Sequence, residues 1–328
     1  MSTPTVTYTD IFAPNYSVTG IRQDGGDGHP VVITGSYETS DSKAPQCLLY
    51  RGPLSPTDSD GYIFLTPTFP GQTVTSSIFY GPNTPLFDPT LGKGNIRAVG
   101  SYKYSEGGKA DHGMIYQGAP DGSGTWTQID VPADVAGGTV ANTIPHSTMG
   151  DLVVGNYDVA GNPASGNGFI HNLKTGTFQI LDIGPLATLY GIWQNAADGP
   201  AAYTVAGGYK NGKGLNVGLL ADYDPATGAL SNITELSYKN LPGIITHFEG
   251  ITGIPGGYAL AATTDAGAAF AHVARETGGG FGEARWLAST NPATTGLCTA
   301  NSILGNTLIG IYQPASGGIQ SYAATLGE

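Results

Sequence analysis

The chain has 328 residues, a net charge of −12 and only 12% charged residues, with 51 glycines, 18 tyrosines and 40% apolar residues. That apolar content argues against a disordered chain, and thirteen scattered lysines and arginines argue against nucleic acid or an anionic membrane surface as a partner. No apolar run reaches the roughly 18 residues of a membrane-spanning helix, and a glycine- and tyrosine-rich, lysine-poor composition predicts many short strands joined by tight turns.

The start, Met1-Ser2-Thr3-Pro4-Thr5, lacks the basic and apolar regions of a signal peptide. With Met1 as the native start the expectation is a cytoplasmic protein; a signal removed ahead of it would instead mean a secreted one. The first predicted strand, Thr7-Tyr8-Thr9-Asp10-Ile11-Phe12-Ala13-Pro14, has a pattern that returns at Thr127-Gln128-Ile129-Asp130-Val131-Pro132. Next comes Val31-Val32-Ile33-Thr34, a β-branched run that ends in Gly35-Ser36-Tyr37. This Gly-x-Tyr recurs at Gly100-Ser101-Tyr102, Gly155-Asn156-Tyr157, Gly207-Gly208-Tyr209 and Gly310-Ile311-Tyr312, with a degenerate copy at Ala262-Thr263-Thr264. The steps of 65, 55, 52, 55 and 48 residues suit one four-stranded propeller blade each.

Within each unit the order is a first strand with a polar residue ahead of an apolar one, a second ending in Gly-x-Tyr, a third such as Cys47-Leu48-Leu49-Tyr50 or Gly168-Phe169-Ile170-His171, and a fourth such as Phe178-Gln179-Ile180-Leu181-Asp182-Ile183. The segments are short and rich in β-branched and aromatic residues, and no long segment has a clean helical period. The chain stops at Leu326-Gly327-Glu328, after a sixth third strand, so the N-terminal strand is expected to complete the last blade and leave no open seam. The predicted fold is all-β, a six-bladed β-propeller in one domain, with blades near 13–70, 71–137, 138–187, 188–243, 244–293 and 294–328 plus 4–12. Seven blades is the alternative if the long first step hides a unit. Most of the excess length of that step is an insertion, Gly81 to Gly94, of the kind that plugs a channel or meets a partner.

Two segments, Asp111-His112-Gly113-Met114-Ile115-Tyr116 and Asn167-Gly168-Phe169-Ile170-His171, resemble the repeats of HAF-type extracellular proteins. The resemblance runs loosely over most of the chain. It implies a propeller and no particular activity.

In a propeller the first strands surround a central channel, so their polar residues are site candidates. Aligning those strands on Ile21, Ile78, Ile144, Ile192, Ile251 and Ala300 gives a ring of Thr19, Ser76, Asn142, Tyr190, Glu249 and Cys298. Two residues earlier the set is Ser17, Val74, Val140, Thr188, His247 and Gly296. Unlike polar groups at equivalent repeat positions are what a site grafted onto a repeat would leave, and drift leaves the same mark.

His247 and Glu249, two apart on a strand, share a face and form a common acid/base arrangement; the plain alternative is a loop cap and a structural ion pair. His146 after Pro145 is a deeper channel residue or a turn. Tyr190, Trp193 and Tyr80 offer rings to a substrate or pack the blades. Cys298 is a nucleophile if His247 or Glu249 is in reach, and otherwise a buried structural thiol. Cys47 sits on a third strand and Cys298 on a first, too far apart to bridge, so free thiols are expected. The run Asp24-Gly25-Gly26-Asp27-Gly28-His29 lacks the spacing of a calcium loop and reads as a hairpin turn, as does Asn195-Ala196-Ala197-Asp198-Gly199. Asp10, Asp130 and Asp182 repeat and read as structural; His112, His171 and His272 lie on third strands.

These readings predict a metal-independent, cofactor-free acid/base enzyme, a lyase, isomerase or hydrolase, acting on a small polar molecule at the channel mouth. His247 and Glu249 would exchange protons, with Asn142, His146, Tyr190, Trp193, Tyr80 and Cys298 around the substrate. The alternatives are a lectin-like propeller using the repeated tyrosines, and a protein-interaction scaffold.

Overall fold

The structure, a computed structural model, describes residues 5–26, 29–38, 44–54, 59–162, 166–197, 199 and 201–327. Among these the chain is almost entirely strand. β1 (Val6–Asp10) comes first. One sheet follows with β2 (Tyr16–Gly26), β3 (His29–Glu38), β4 (Pro45–Gly52) and β5 (Tyr62–Leu65), and the next has β6 (Val74–Asn83), β7 (Ile96–Tyr104), β8 (His112–Gly118) and β9 (Thr125–Gln128). A single turn of helix, α1 (Ala133–Ala136), precedes β10 (Val140–Met149), β11 (Leu152–Val159), β12 (Asn167–Asn172) and β13 (Thr177–Ile180). Then come β14 (Thr188–Gln194), β15 (Tyr203–Lys210), β16 (Asn216–Asp224) and β17 (Ala229–Leu236), followed by β18 (Thr246–Ile254), β19 (Gly257–Thr264), β20 (Gly267–Arg275) and β21 (Phe281–Ala288). The last sheet holds β22 (Thr294–Cys298), β23 (Ser302–Leu304), β24 (Thr307–Pro314) and β25 (Gln320–Leu326).

These six antiparallel sheets are the blades of a β-propeller, as the repeat of Gly-x-Tyr predicts. The last sheet borrows its outer strand: β1 pairs antiparallel with β25, from Val6 opposite Leu326 to Asp10 opposite Tyr322. Contacts cluster the chain into two compact units, Thr19–Tyr190, and Met1–Val18 with Gly191–Glu328. Each carries three sheets.

The glycine of Gly-x-Tyr has a steric cause. A Cβ on Gly100 would lie 2.0 Å from the carbonyl oxygen of Ile78, one on Gly155 2.3 Å from that of Ile144, and one on Gly310 2.0 Å from that of Thr299. In each case the second strand presses against the backbone of the first, and only glycine admits that approach. The tyrosine is a clasp. Tyr209 on β15 donates its hydroxyl to Glu235 on β17 at 2.6 Å, and Tyr312 on β24 reaches Asp10 on β1 at 3.1 Å, so the second strand is tied to the fourth across the third. Tyr102, Tyr157, Tyr209 and Tyr312 are buried, and Tyr37 is half-buried against Phe64, with ring centroids 4.5 Å apart. The repeated tyrosines therefore form no surface platform of the sort the lectin-like alternative requires.

Cores lie between neighbouring sheets of each unit. Rings of one sheet line such a core together: in unit Thr19–Tyr190, Phe79 on β6 stacks on Trp126 of β9 with centroids 5.7 Å apart, and in the other unit Phe248 on β18 stacks on Trp286 of β21 at 5.9 Å. Each such phenylalanine is fully buried and contributes roughly 1.5–3 kcal/mol by leaving water. The insertion between β6 and β7 is held on its own unit. Thr84 donates to the Gln23 carbonyl at 2.7 Å, and Asp88 pairs with Arg97 at 3.0 Å. Cys47 and Cys298 are both buried free thiols.

Candidate functional site

The first strands decide which side chains share a face, and their register changes the alignment drawn from sequence. Phe79 lies opposite Gly100, Pro145 opposite Gly155, and Phe248 opposite Ala262, and the next residue in each strand is skipped in the pairing. These skipped residues, Tyr80, His146 and Glu249, are bulges, which turn a side chain out of the ladder. In the last sheet the contact of Gly310 with Thr299 puts Asn301 at the same place. The equivalents of Glu249 are thus Tyr80, His146 and Asn301, and not Ser76, Asn142 and Cys298. The sequence alignment slipped by four, four and three residues. A period-two pattern matches itself after a shift of four, so hydrophobicity alone does not expose the slip at Ser76 and Asn142; the shift of three at Cys298 exchanges the two faces and had set a buried residue in the ring.

In unit Thr19–Tyr190 the bulges build an aromatic group. His146 stacks on Tyr190 with centroids 3.5 Å apart, and Tyr80 leans on His146 at 4.8 Å. His146 Nε2 lies 2.7 Å from Asn156 Oδ1. Pro145 sits buried within the strand just before the bulge, so His146 is on a strand and not in a turn. Burial, chiefly, pushes the Tyr80 phenol up to about 12. Asn142 stands apart from this group as a brace: it donates to Asp158 at 2.9 Å and accepts from the Asp111 amide at 2.9 Å. Arg22, which the sequence reading passed over, is buried on β2 and donates to Ser147 at 3.3 Å; desolvation pulls its guanidinium down to about 10.

In the other unit the predicted pair forms. His247 Nδ1 lies 3.1 Å from Glu249 Oε1, and the two side chains keep 23% and 18% of their exposure. The face of β18 alternates, with Thr246, Phe248 and Gly250 buried and His247 and Glu249 half-buried on the other side. Room for the imidazole comes from the neighbouring sheet, where a Cβ on Gly208 would stand 2.6 Å from His247 Cδ2. Gly208 is the middle residue of its Gly-x-Tyr, as Asn156 is the middle residue that meets His146. That variable position was the signal available in the sequence and not used.

Cys298 lies in the core among Ala300, Leu308, Tyr312 and Tyr322, with its sulfur 3.5 Å from the Tyr322 hydroxyl. Trp193 covers Gly253 and walls a cleft of about 540 Å³ with Asn195, Tyr258 and Arg275. The polar groups of that cleft are bonded to each other: Tyr258 donates to Asn195 at 2.6 Å, and Arg275 holds the buried Asp222. On the third strands, His112 meets Asp130 at 2.7 Å and His171 lies against the Thr177 carbonyl at 3.1 Å.

Asp24 engages Arg51 through both oxygens, at 2.9 and 3.0 Å, which gives the buried carboxylate of that hairpin its counter-charge; Asp27, Gly28 and Asp198 lie outside the described residues. Among the described residues no three His, Cys, Asp or Glu side chains are grouped to hold a metal ion.

No protein-family model and no curated protein matches the chain, and nothing in these comparisons supports the likeness to HAF-type repeats. Among solved structures the chain is similar to a luciferin-regenerating enzyme, with a TM-score of 0.56 and 12% identity over 98% of this chain and 95% of that one. It is also similar to a glucose dehydrogenase, with a TM-score of 0.48 and 10% identity over 97% of this chain and 99% of that one. At 12% identity the first likeness shows the fold alone, a β-propeller.

Proposed function

We propose that this chain is an acid/base enzyme, a lyase, isomerase or hydrolase, that acts on a small polar molecule with side chains alone and uses His247 and Glu249 to exchange protons. The observation that carries the reading is the 3.1 Å contact of His247 Nδ1 with Glu249 Oε1 on the half-exposed face of β18, in space left by Gly208. With the ring proton on Nδ1, directed at the carboxylate, Nε2 carries the lone pair and is the basic nitrogen. The carboxylate holds the ring in one orientation and faces the charge that the ring gains as it takes a proton. Asn301 and Thr299, at the equivalent places on the neighbouring first strand, are the polar groups nearest in pattern to position a substrate.

The test is a thermal-shift screen of hydroxy acids, polyols and amides on the native chain and on Glu249→Gln, with turnover then followed for the compounds that bind. The expected result is a ligand that stabilises the native chain and not the variant. Turnover should drop by about 10²–10⁴-fold in Glu249→Gln, the usual share of a positioned acid or base, and should be insensitive to a chelator. Undiminished turnover in the variant would end this reading.

A further inference from the structure

We propose that the site at His247 and Glu249 takes an amphiphilic substrate, a polar reacting group that bears a short aliphatic tail, and that Ile245, Leu297 and Leu241 receive the tail. This inference rests on the reading of His247 and Glu249 as site residues. It starts from the alternation along two neighbouring first strands. Ile245, His247 and Glu249 share the open face of β18 and its lead-in, while Thr246, Phe248 and Gly250 point into the core. Leu297, Thr299 and Asn301 follow the same rule, with Cys298, Ala300 and Ser302 buried. The bulge register makes Asn301 the equivalent of Glu249 and Thr299 that of His247, so Leu297 is the equivalent of Ile245. Two sheets thus present the same gradient, apolar at the start of the face and polar further in.

The apolar end is open. Ile245 keeps 48% of its surface, Leu297 51%, and Leu241, in the connection that leads into β18, 51%. Among the described residues of this unit, Ile233 on the outer strand β17 is the other large aliphatic residue so exposed. Single exposed aliphatics need no explanation, but Ile245 and Leu297 stand at matched positions of two neighbouring first strands, each in line with the polar residues of its face. The rim is also held in position. Thr246, buried, donates to the Ile244 carbonyl at 3.1 Å and accepts from the Tyr238 amide at 2.9 Å, and the Ile244 amide closes a turn onto the Leu241 carbonyl at 3.0 Å. On the next sheet the Thr294 amide bonds the Asn291 carbonyl at 3.0 Å just ahead of Leu297. An aliphatic tail laid along these side chains leaves water on one side, which is worth about twofold in affinity per methylene, short of the roughly fourfold of full burial.

The experiment uses straight-chain primary amides from acetamide to octanamide as probes. Binding is read by titration, and the imidazole of His247 is followed by NMR. The expected result is a dissociation constant that falls about twofold per methylene, a shift of the His247 signal with every amide, and a flat chain-length series in Ile245→Ser and Leu297→Ser. Because both residues are exposed, these variants should fold. A His247 signal that moves equally with all amides, without a chain-length trend, overturns the rim and leaves the acid/base pair standing. A trend that survives both serine variants overturns the rim as well. A trend that leaves the His247 signal still, or no binding even of octanamide, overturns the rim and the reading of the pair together.

Discussion

At the scale of single residues, the proposed site depends on atoms that are missing as much as on atoms that are present. Gly208 contributes no side chain, and that gap is where the His247 ring sits. In Gly208→Ala the new methyl would stand 2.6 Å from Cδ2, closer than contact allows, so the imidazole must shift from its place beside Glu249. A displacement of this size commonly costs about 100-fold in rate when geometry governs the step. The expected outcome is a turnover close to that of Glu249→Gln with a melting temperature within a few degrees of the native chain. A variant that keeps full activity would show that the ring's placement is unimportant. The sequence did reveal the pair, because two titratable residues two apart on a strand must share a face. Gly208 was legible only as the variable middle residue of its Gly-x-Tyr; that the His247 ring fills its space is decided by how the sheets pack.

At the scale of elements, the bulges and the buried ion pair set the geometry. Asp222 on β16 is 1% exposed and is gripped by Arg275 of β20, with Asn232 donating to it at 2.7 Å and Thr204 at 3.1 Å. This knot joins two neighbouring sheets within one unit. Replacing Asp222 by Ala leaves the guanidinium without its counter-charge in a largely closed place, and such losses run to about 3–5 kcal/mol. A urea midpoint for Asp222→Ala equal to that of the native chain would contradict this. The existence and order of the strands were legible, because Gly-x-Tyr repeats and the segments are short. The register of the first strands was not. Ile78 and Ile144 looked like the equivalents of Ile251, yet the extra bulged residue and the longer first strands of those blades put Tyr80 and His146 where Glu249 stands.

At the scale of the whole molecule, the last sheet depends on both ends of the chain. β1 lies along β25, and the Gly327 amide donates to the Thr5 carbonyl at 2.8 Å. Deleting residues 1–12 strips the outer strand and removes Ile11 and Phe12, both buried. The expected result is a lower melting temperature and concentration-dependent aggregation through the bared β25 edge, measured by light scattering. An equally soluble truncated chain would argue against β1 as a structural strand. The fold also sets a pH response. Desolvation holds the His171 and His272 imidazoles below their ordinary 6.5, with Arg285 adding to it at His272. The unfolded chain then binds protons that the folded chain refuses, so stability is full above about pH 6.5 and declines as the pH falls through the lowered folded-state values. Melting temperatures should drop from pH 7 to pH 5, and the double variant His171→Gln, His272→Gln should show a shallower drop; an unchanged slope would assign the effect to carboxylates instead.

The sequence by itself determined the number of sheets, the strand order within them, the closing role of β1 and the nearness of His247 to Glu249. Each of these follows from local pattern: a repeat, a period of two, or two residues on one strand. Tertiary structure alone decided which residues of different sheets are equivalents, that Asn142 braces Asp158, that Cys298 is core, and that Ile245 and Leu297 stay open beside the pair. The reason is that a bulge moves every later side chain to a new partner while changing the composition of the strand by one residue. What faces what is fixed only when the sheets pack and carbonyl oxygens meet glycines.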